Sequence, residues 1–264
     1  RASSDPAGFD DQLLRSLDLA DVHFVYYADL LNPPVGTDPD EVEAGLAKAW
    51  LSSAASSAQD PRDRHLARQV LDAQVTTEES QGYQAALRSL VRGASRLRFV
   101  AEAGFRMQQG RVRALREVSV YMGDAGARSG AQDRLRRAIG TDTRVVLAHS
   151  LGTVVAYEAL QTVQQPVSLV TLGSPLALRH VIYDRLDPTP GIVPECLRSW
   201  SDFLDRDDLV AAHSVLTRRF RSNSQGVAPT TNRRINNGAD PHSAVNYLAN
   251  PAVRRVVQET LTAE

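Results

Sequence analysis

The sequence holds a single cysteine, Cys196, so no disulfide can form within the chain and a cysteine-built zinc site is excluded. Lysine is nearly absent: Lys48 stands alone among 30 basic residues, and the rest are arginine. That bias reads as G+C-rich coding rather than as a design for binding phosphate. No apolar run approaches the roughly 18 residues a membrane span requires. No export-signal pattern opens the chain, and a cytoplasmic location is the expectation that follows. The sequence has no P-loop, no Gly-x-Gly-x-x-Gly fingerprint and no paired histidines at ligand spacing, which disfavours nucleotide-binding and metal-dependent chemistry. Neither charge sign is in excess. With 30 basic and 31 acidic residues the net charge is -1, so bulk attraction to nucleic acid or to an anionic membrane is not expected.

What is present suits a globular protein: 264 residues, 42% hydrophobic and 23% charged. These values fit one domain over residues 1–264. Val22-His23-Phe24-Val25-Tyr26-Tyr27 is β-branched and aromatic and is closed by Asn32-Pro33-Pro34, which predicts a strand. From Asp40 to Ile139 the apolar residues recur at helical spacing, as in Leu87, Leu90, Val91 and Ala94. Asp40 and Asp60-Pro61 predict helix starts. This block, residues 40–139, reads as a helical insertion with no strand. After Gly140 the rhythm changes. Val145 to Ala148 predicts a buried parallel strand and Leu151 to Val163 a helix. Val167 to Leu172 and Leu197 to Leu204 predict two more strands. Residues 221–241 predict a long loop, and Ser243–Leu248 and Ala252–Leu261 the closing helices. Alternating strands and helices imply an α/β fold with a mostly parallel sheet flanked by helices.

The chemistry lies in Val145-Val146-Leu147-Ala148-His149-Ser150-Leu151-Gly152-Thr153, where a serine sits at the join of a strand and a helix. A tight strand-to-helix turn strains the backbone at the serine and crowds the positions two residues either side, so Ala148 and Gly152 must be small. The hydroxyl is then exposed beside a helix N-terminus, and the amide of Leu151 points at any oxyanion formed there. The plain alternative is a serine capping an ordinary helix.

This segment resembles the nucleophile elbow, Gly-x-Ser-x-Gly, of the α/β-hydrolase superfamily, with Ala148 in place of the first glycine. Two further stretches resemble lipase-like members of that superfamily: Leu172-Gly173-Ser174-Pro175-Leu176, and His242-Ser243 followed by Tyr247. The resemblance spans residues 141–248 and implies an α/β-hydrolase-like fold. It also implies a chain order of serine, acid and histidine. Of six histidines, His23 and His65 precede Ser150, His149 adjoins it with a side chain expected to diverge, and His180 follows too closely for an intervening acid. His242, on a loop before the final helices, is the implied base, with His213 the alternative. Trp200-Ser201-Asp202-Phe203-Leu204-Asp205-Arg206-Asp207-Asp208-Leu209-Val210-Ala211 resembles the Trp…Asp-Pro-x-Asp-Pro-Val-Ala stretch of those members. Aligning Val210-Ala211 with its end puts the acid at Asp208, with Asp207 the alternative.

The resemblance therefore implies a serine hydrolase with a Ser150–Asp208–His242 triad, acting on a small-molecule or lipid-like ester or thioester through an acyl-enzyme without a cofactor or metal. Acyl transfer on the same triad, and an impaired hydrolase-like binding module, are the alternatives. The superfamily's second oxyanion amide, often in a His-Gly or Gly-Gly loop, has no counterpart in the sequence. Since the chain starts at Arg1 rather than Met, that segment is expected upstream; a substitute amide near Asp29 to Asn32 or in the helical block, and an incomplete hole with lost or unusual activity, are the other options. The helical block is a possible lid or cap, or a surface for a protein partner. Leu87, Leu90, Val91, Phe99, Phe105 and Met107 would line its cleft. Its arginines, Arg88, Arg92, Arg96, Arg98, Arg106, Arg111, Arg113 and Arg116, read as a solvated face, with an anionic head group or partner as the sharper option.

Overall fold

The computed structural model describes residues 22–32, 38–58, 60–97, 107–108, 111–188, 191–211, 215–230, 233–238 and 240–262. Helix α1 (Glu41–Ser57) begins where the Asp40 carboxylate accepts from the Glu43 amide at 2.8 Å. Helix α2 (Pro61–Gln81) begins where Asp60 accepts from Arg62 N at 2.8 Å, with proline in the first turn, where its missing N–H costs nothing. Gly82, at φ 85°, turns the chain into α3 (Tyr83–Ala94). The apolar stripe of α3 puts Ala86, Leu87, Leu90, Val91 and Ala94 inside. At Gly93 a Cβ would stand 2.5 Å from a methyl of Val70, so α2 and α3 touch there only because that position has no side chain.

A short antiparallel hairpin follows, β1 (Met107–Gln108) with β2 (Arg111–Val112). It interrupts a block expected to hold no strand; two residues per strand are too few for an alternation to be seen in sequence. Then come α4 (Arg113–Gly123) and α5 (Ala125–Ala138). The remaining elements are β3 (Val145–His149), α6 (Leu151–Leu160), β4 (Val167–Leu172), β5 (Leu197–Asp205), β6 (Arg233–Ile235), α7 (Ala244–Ala249) and α8 (Pro251–Thr262). Strands β3-β4-β5-β6 lie side by side in that order, every pair parallel. Strand β6 falls inside the stretch expected to be a loop, where its polar Arg233-Arg234-Ile235 carries no apolar pattern.

The two faces of the sheet sort by alternation. Val167 and Leu169 join the large core that also holds α6 and helices α1 to α5. Val170, Leu172 and Phe203 join a second core with Tyr247, Leu248, Val253, Val256 and Val257 from α7 and α8. Leu169 is completely buried, and its truncation to alanine costs about 2–5 kcal/mol. The Glu158 carboxylate, on α6, ties the helical block to this core. It accepts from Tyr121 Oη (2.7 Å), Arg128 Nε (2.9 Å), Gln132 Nε2 (2.9 Å) and Asp187 N (3.0 Å).

Three expectations are corrected. Val22–Tyr27 is not a strand: among the described residues it has no sheet partner, and the Tyr26 carbonyl accepts from Arg134 instead, at 2.8 Å. Leu87, Leu90 and Val91 line no open cleft; they are packed against the neighbouring helices in the core. Phe99 and Phe105 lie outside the described residues, and of Met107 only the backbone is described. Of the arginines, Arg88, Arg92 and Arg96 are exposed as expected, whereas Arg116 is not. Arg116 is 2% exposed, Arg113 bridges to Glu117 at 2.7 Å, and Arg88 grips Asp38 with contacts of 2.9 and 2.7 Å. Arg98 and Arg106 lie outside the described residues. No helix among the described residues is long and apolar enough to cross a membrane.

Candidate active site

In an open parallel sheet, the loops past the carboxyl ends of the strands converge on one edge. Ser150 follows β3, Gly173 follows β4, Asp208 follows β5 and His242 follows β6. Their meeting is a consequence of that topology.

Ser150 has φ 52° and ψ -128°, a conformation that costs a non-glycine residue about 1–3 kcal/mol. The surroundings over-determine it. Its N–H donates to the Leu172 carbonyl at 3.0 Å, and its own carbonyl accepts from Thr153 N (3.0 Å) and Thr153 Oγ1 (2.7 Å). Its side chain caps nothing in α6, which removes the helix-capping alternative. A Cβ at Gly152 would lie 3.1 Å from Tyr27 Oη, a tight approach that favours the small residue expected there. The Leu151 N–H belongs to the first turn of α6, where amides have no acceptor within the helix.

His242 Nε2 lies 3.0 Å from Ser150 Oγ. His242 Nδ1 lies 3.0 and 2.9 Å from the two oxygens of Asp208. A carboxylate can only accept, so the ring proton sits on Nδ1 and Nε2 is the bare nitrogen that accepts from the serine. Asp208 is 1% exposed. Its Oδ1 also accepts from the amides of Val210 (3.1 Å) and Ala211 (3.3 Å), and its Oδ2 from Tyr247 Oη (2.8 Å). Burial alone would raise its pKa; the charge and hydrogen bond of His242 and the bond from Tyr247 outweigh that and hold it below the usual carboxylate range. The same carboxylate, after burial itself, pushes the Tyr247 phenol up and keeps it a donor.

Asp207 points elsewhere: it is partly exposed and pairs with Arg206 at 3.5 Å. Asp205 is a loop anchor, accepting from Asp207 N at 2.8 Å and from Asn237 N. Asp202 is buried within β5 and accepts from Thr171 at 2.7 Å. The structure therefore brings together Ser150, His242 and Asp208 and leaves Asp207 aside. His213 lies outside the described residues. Ser174 is structural, bonded to Thr153 Oγ1 at 2.9 Å. The His149 ring packs against His242, 4.6 Å from its ring.

Two asparagines not singled out from sequence hold the His242 loop. Asn237 Nδ2 donates to Pro241 O at 3.0 Å, and Asn246 Nδ2 to the carbonyls of Asn237 (3.0 Å) and Asp240 (3.2 Å). The trace of Asn237 in the sequence is the turn-rich composition around Asn236-Asn237-Gly238; Asn246 lies within a helix and leaves none. Among the described residues no group of three or more His, Cys, Asp or Glu side chains is arranged to hold a metal ion. Comparison of the chain with protein-family models, with curated proteins and with solved structures finds no match.

Proposed function

We propose that this chain is a serine hydrolase of the α/β-hydrolase type, cleaving carboxylic esters or thioesters. One observation carries the reading: an unbroken hydrogen-bond line runs from Ser150 Oγ through the imidazole of His242 to a buried, triply anchored Asp208. A nucleophile, a base with its free nitrogen aimed at that nucleophile, and an acid that fixes the base's tautomer are the parts acyl transfer through a serine requires.

The steps follow from those positions. Ser150 Oγ attacks the carbonyl carbon while its proton passes to His242 Nε2. The oxyanion that forms meets the Leu151 N–H; one such donor is worth about 2.7–4 kcal/mol in the transition state. Asp208 stabilises the imidazolium without taking its proton. Collapse breaks the bond to the alcohol or thiol, which leaves with the proton from Nε2. Water then repeats the sequence on the acyl-enzyme and releases the acid and Ser150.

The test is pre-steady-state. With p-nitrophenyl acetate in excess, an acyl-enzyme mechanism gives a nitrophenol burst of about one equivalent per enzyme when deacylation is slower than acylation. In acid-quenched samples the acetyl group resides on the Ser150 peptide. A protein that turns the ester over with acetyl on another residue, or that shows no turnover with this or longer-chain esters, contradicts the proposal.

A further inference from the structure

His149, the last residue of β3, stands outside the Ser150–His242–Asp208 line yet touches it. Its ring lies 4.6 Å from that of His242, tilted by 42°, and 5.8 Å from that of Tyr247. Its Nε2 is 2.8 Å from the backbone carbonyl oxygen of His242. That oxygen can only accept, so His149 carries its proton on Nε2 and donates it. Desolvation, and then the neighbouring imidazole of His242, hold its pKa down at about 3, against the pull of the Asp208 carboxylate. The ring is thus uncharged at neutral pH.

We propose that His149 is a positioning residue: its Nε2–H ties the main chain of His242 to the strand end that carries Ser150, and so sets the distance between nucleophile and base. The proposal rests on the reading of Ser150 and His242 given above. His149 and Ser150 share a peptide bond, so two hydrogen bonds, Ser150 Oγ to His242 Nε2 and His149 Nε2 to His242 O, close a small ring through both residues. Asn237 and Asn246 hold the carbonyls of Pro241 and Asp240, and His149 holds that of His242. Displacement of a reacting group by about 1 Å can cost 10²-fold in rate. Neutrality matters as well, because a cation at this position would oppose protonation of His242 during attack.

Two variants separate positioning from packing. His149→Phe keeps a ring and removes the donor; His149→Gln returns an amide N–H at similar reach. With p-nitrophenyl acetate, His149→Phe loses roughly 10-fold or more in kcat with KM unchanged, and His149→Gln regains most of it. In two-bond proton–nitrogen spectra of histidine-labelled wild type, His149 remains the neutral Nε2–H tautomer from pH 5 to 8. The proposal is overturned if His149→Phe retains full kcat, if His149→Gln is no better than His149→Phe, or if His149 titrates near its ordinary value. Fluorophosphonate labelling tells the two levels apart. A wild type that does not label at Ser150 removes the reading of the site and this inference with it. Labelling at equal rates in wild type and His149→Phe removes only the inference.

Discussion

The hydroxyl of Tyr247 donates to Oδ2 of Asp208 at 2.8 Å while accepting from the backbone N–H of Asp205, also at 2.8 Å. One phenol therefore links the helix after the His242 loop to both ends of the turn that carries the acid. With the amides of Val210 and Ala211 on Oδ1, the Asp208 carboxylate has no freedom to rotate away from the imidazole. This explains why the carboxylate that meets His242 is that of Asp208 and not of its neighbour, and it makes the turn after β5 testable residue by residue.

Tyr247→Phe removes one donor to a buried carboxylate, a bond of about 1.5–3 kcal/mol to a charged group. Turnover of an activated ester falls on the order of tenfold with little change in KM, because the loss acts on the orientation of His242 and not on substrate binding. Steady-state kinetics check it; unchanged kcat would show that the phenol is packing alone.

Asp208→Asn and Asp207→Asn form a matched pair. The first leaves His242 free to adopt the wrong tautomer, a change that costs on the order of 10⁴ in kcat where such an acid orients a catalytic histidine. The second alters a partly exposed carboxylate paired with Arg206, away from His242, and leaves kcat within about twofold. Equal losses from the two would contradict the assignment.

Gly173 sits at φ 54°, and a Cβ there would lie 2.6 Å from Asp208 Oδ2 and 3.2 Å from both His242 Nδ1 and Tyr247. The three atoms it would displace are those that orient the base. Gly173→Ala is therefore expected to lose at least ~10²-fold in kcat, the scale of lost general-base assistance, while the protein remains folded by circular dichroism. A fully active Gly173→Ala would mean that the carboxylate has room to move.

Asp202 supplies a pH signature separate from catalysis. Burial raises its pKa to about 7, with the Thr171 bond pulling the other way. Between the ordinary carboxylate range and pH 7 the folded state holds a proton that the unfolded state has released, so stability falls as pH rises through that window. The limit is about 1.4 kcal/mol per pH unit for one proton. Asp205 and Glu117, also raised by burial, act in the same direction. Asp208, whose pKa is lowered, acts oppositely and at lower pH. Asp202→Asn should flatten the dependence of the urea midpoint between pH 4.5 and 7; an unaltered slope would assign it to other groups.

Much of the site was legible in sequence, because its backbone demands are strict. The turn at Ser150 needs small residues on both sides, and the Leu172-Gly173-Ser174 stretch needs a glycine where φ is positive. Strands β3 and β4 were readable because parallel strands inside a sheet run nearly continuous in apolar residues, and β5 because Trp200 and Phe203 mark it. Strand β6 was hidden because Arg233-Arg234-Ile235 has no such run. Val22–Tyr27 was misread because strand propensity reports a side chain's fit to a pleated surface and not the presence of a neighbouring strand. The contact of His149 with His242 was invisible for another reason: its partner is a main-chain carbonyl far along the sequence, which leaves no pattern of residue types.

The central claim is that Ser150 is a nucleophile activated by His242, and covalent labelling with a fluorophosphonate probe tests it most directly. The account predicts one adduct per chain, located by peptide mass mapping on Ser150, abolished in Ser150→Ala and slowed at least ~10²-fold in His242→Ala. An adduct on another residue, undiminished labelling of Ser150→Ala, or a wild type inert to the probe would contradict it.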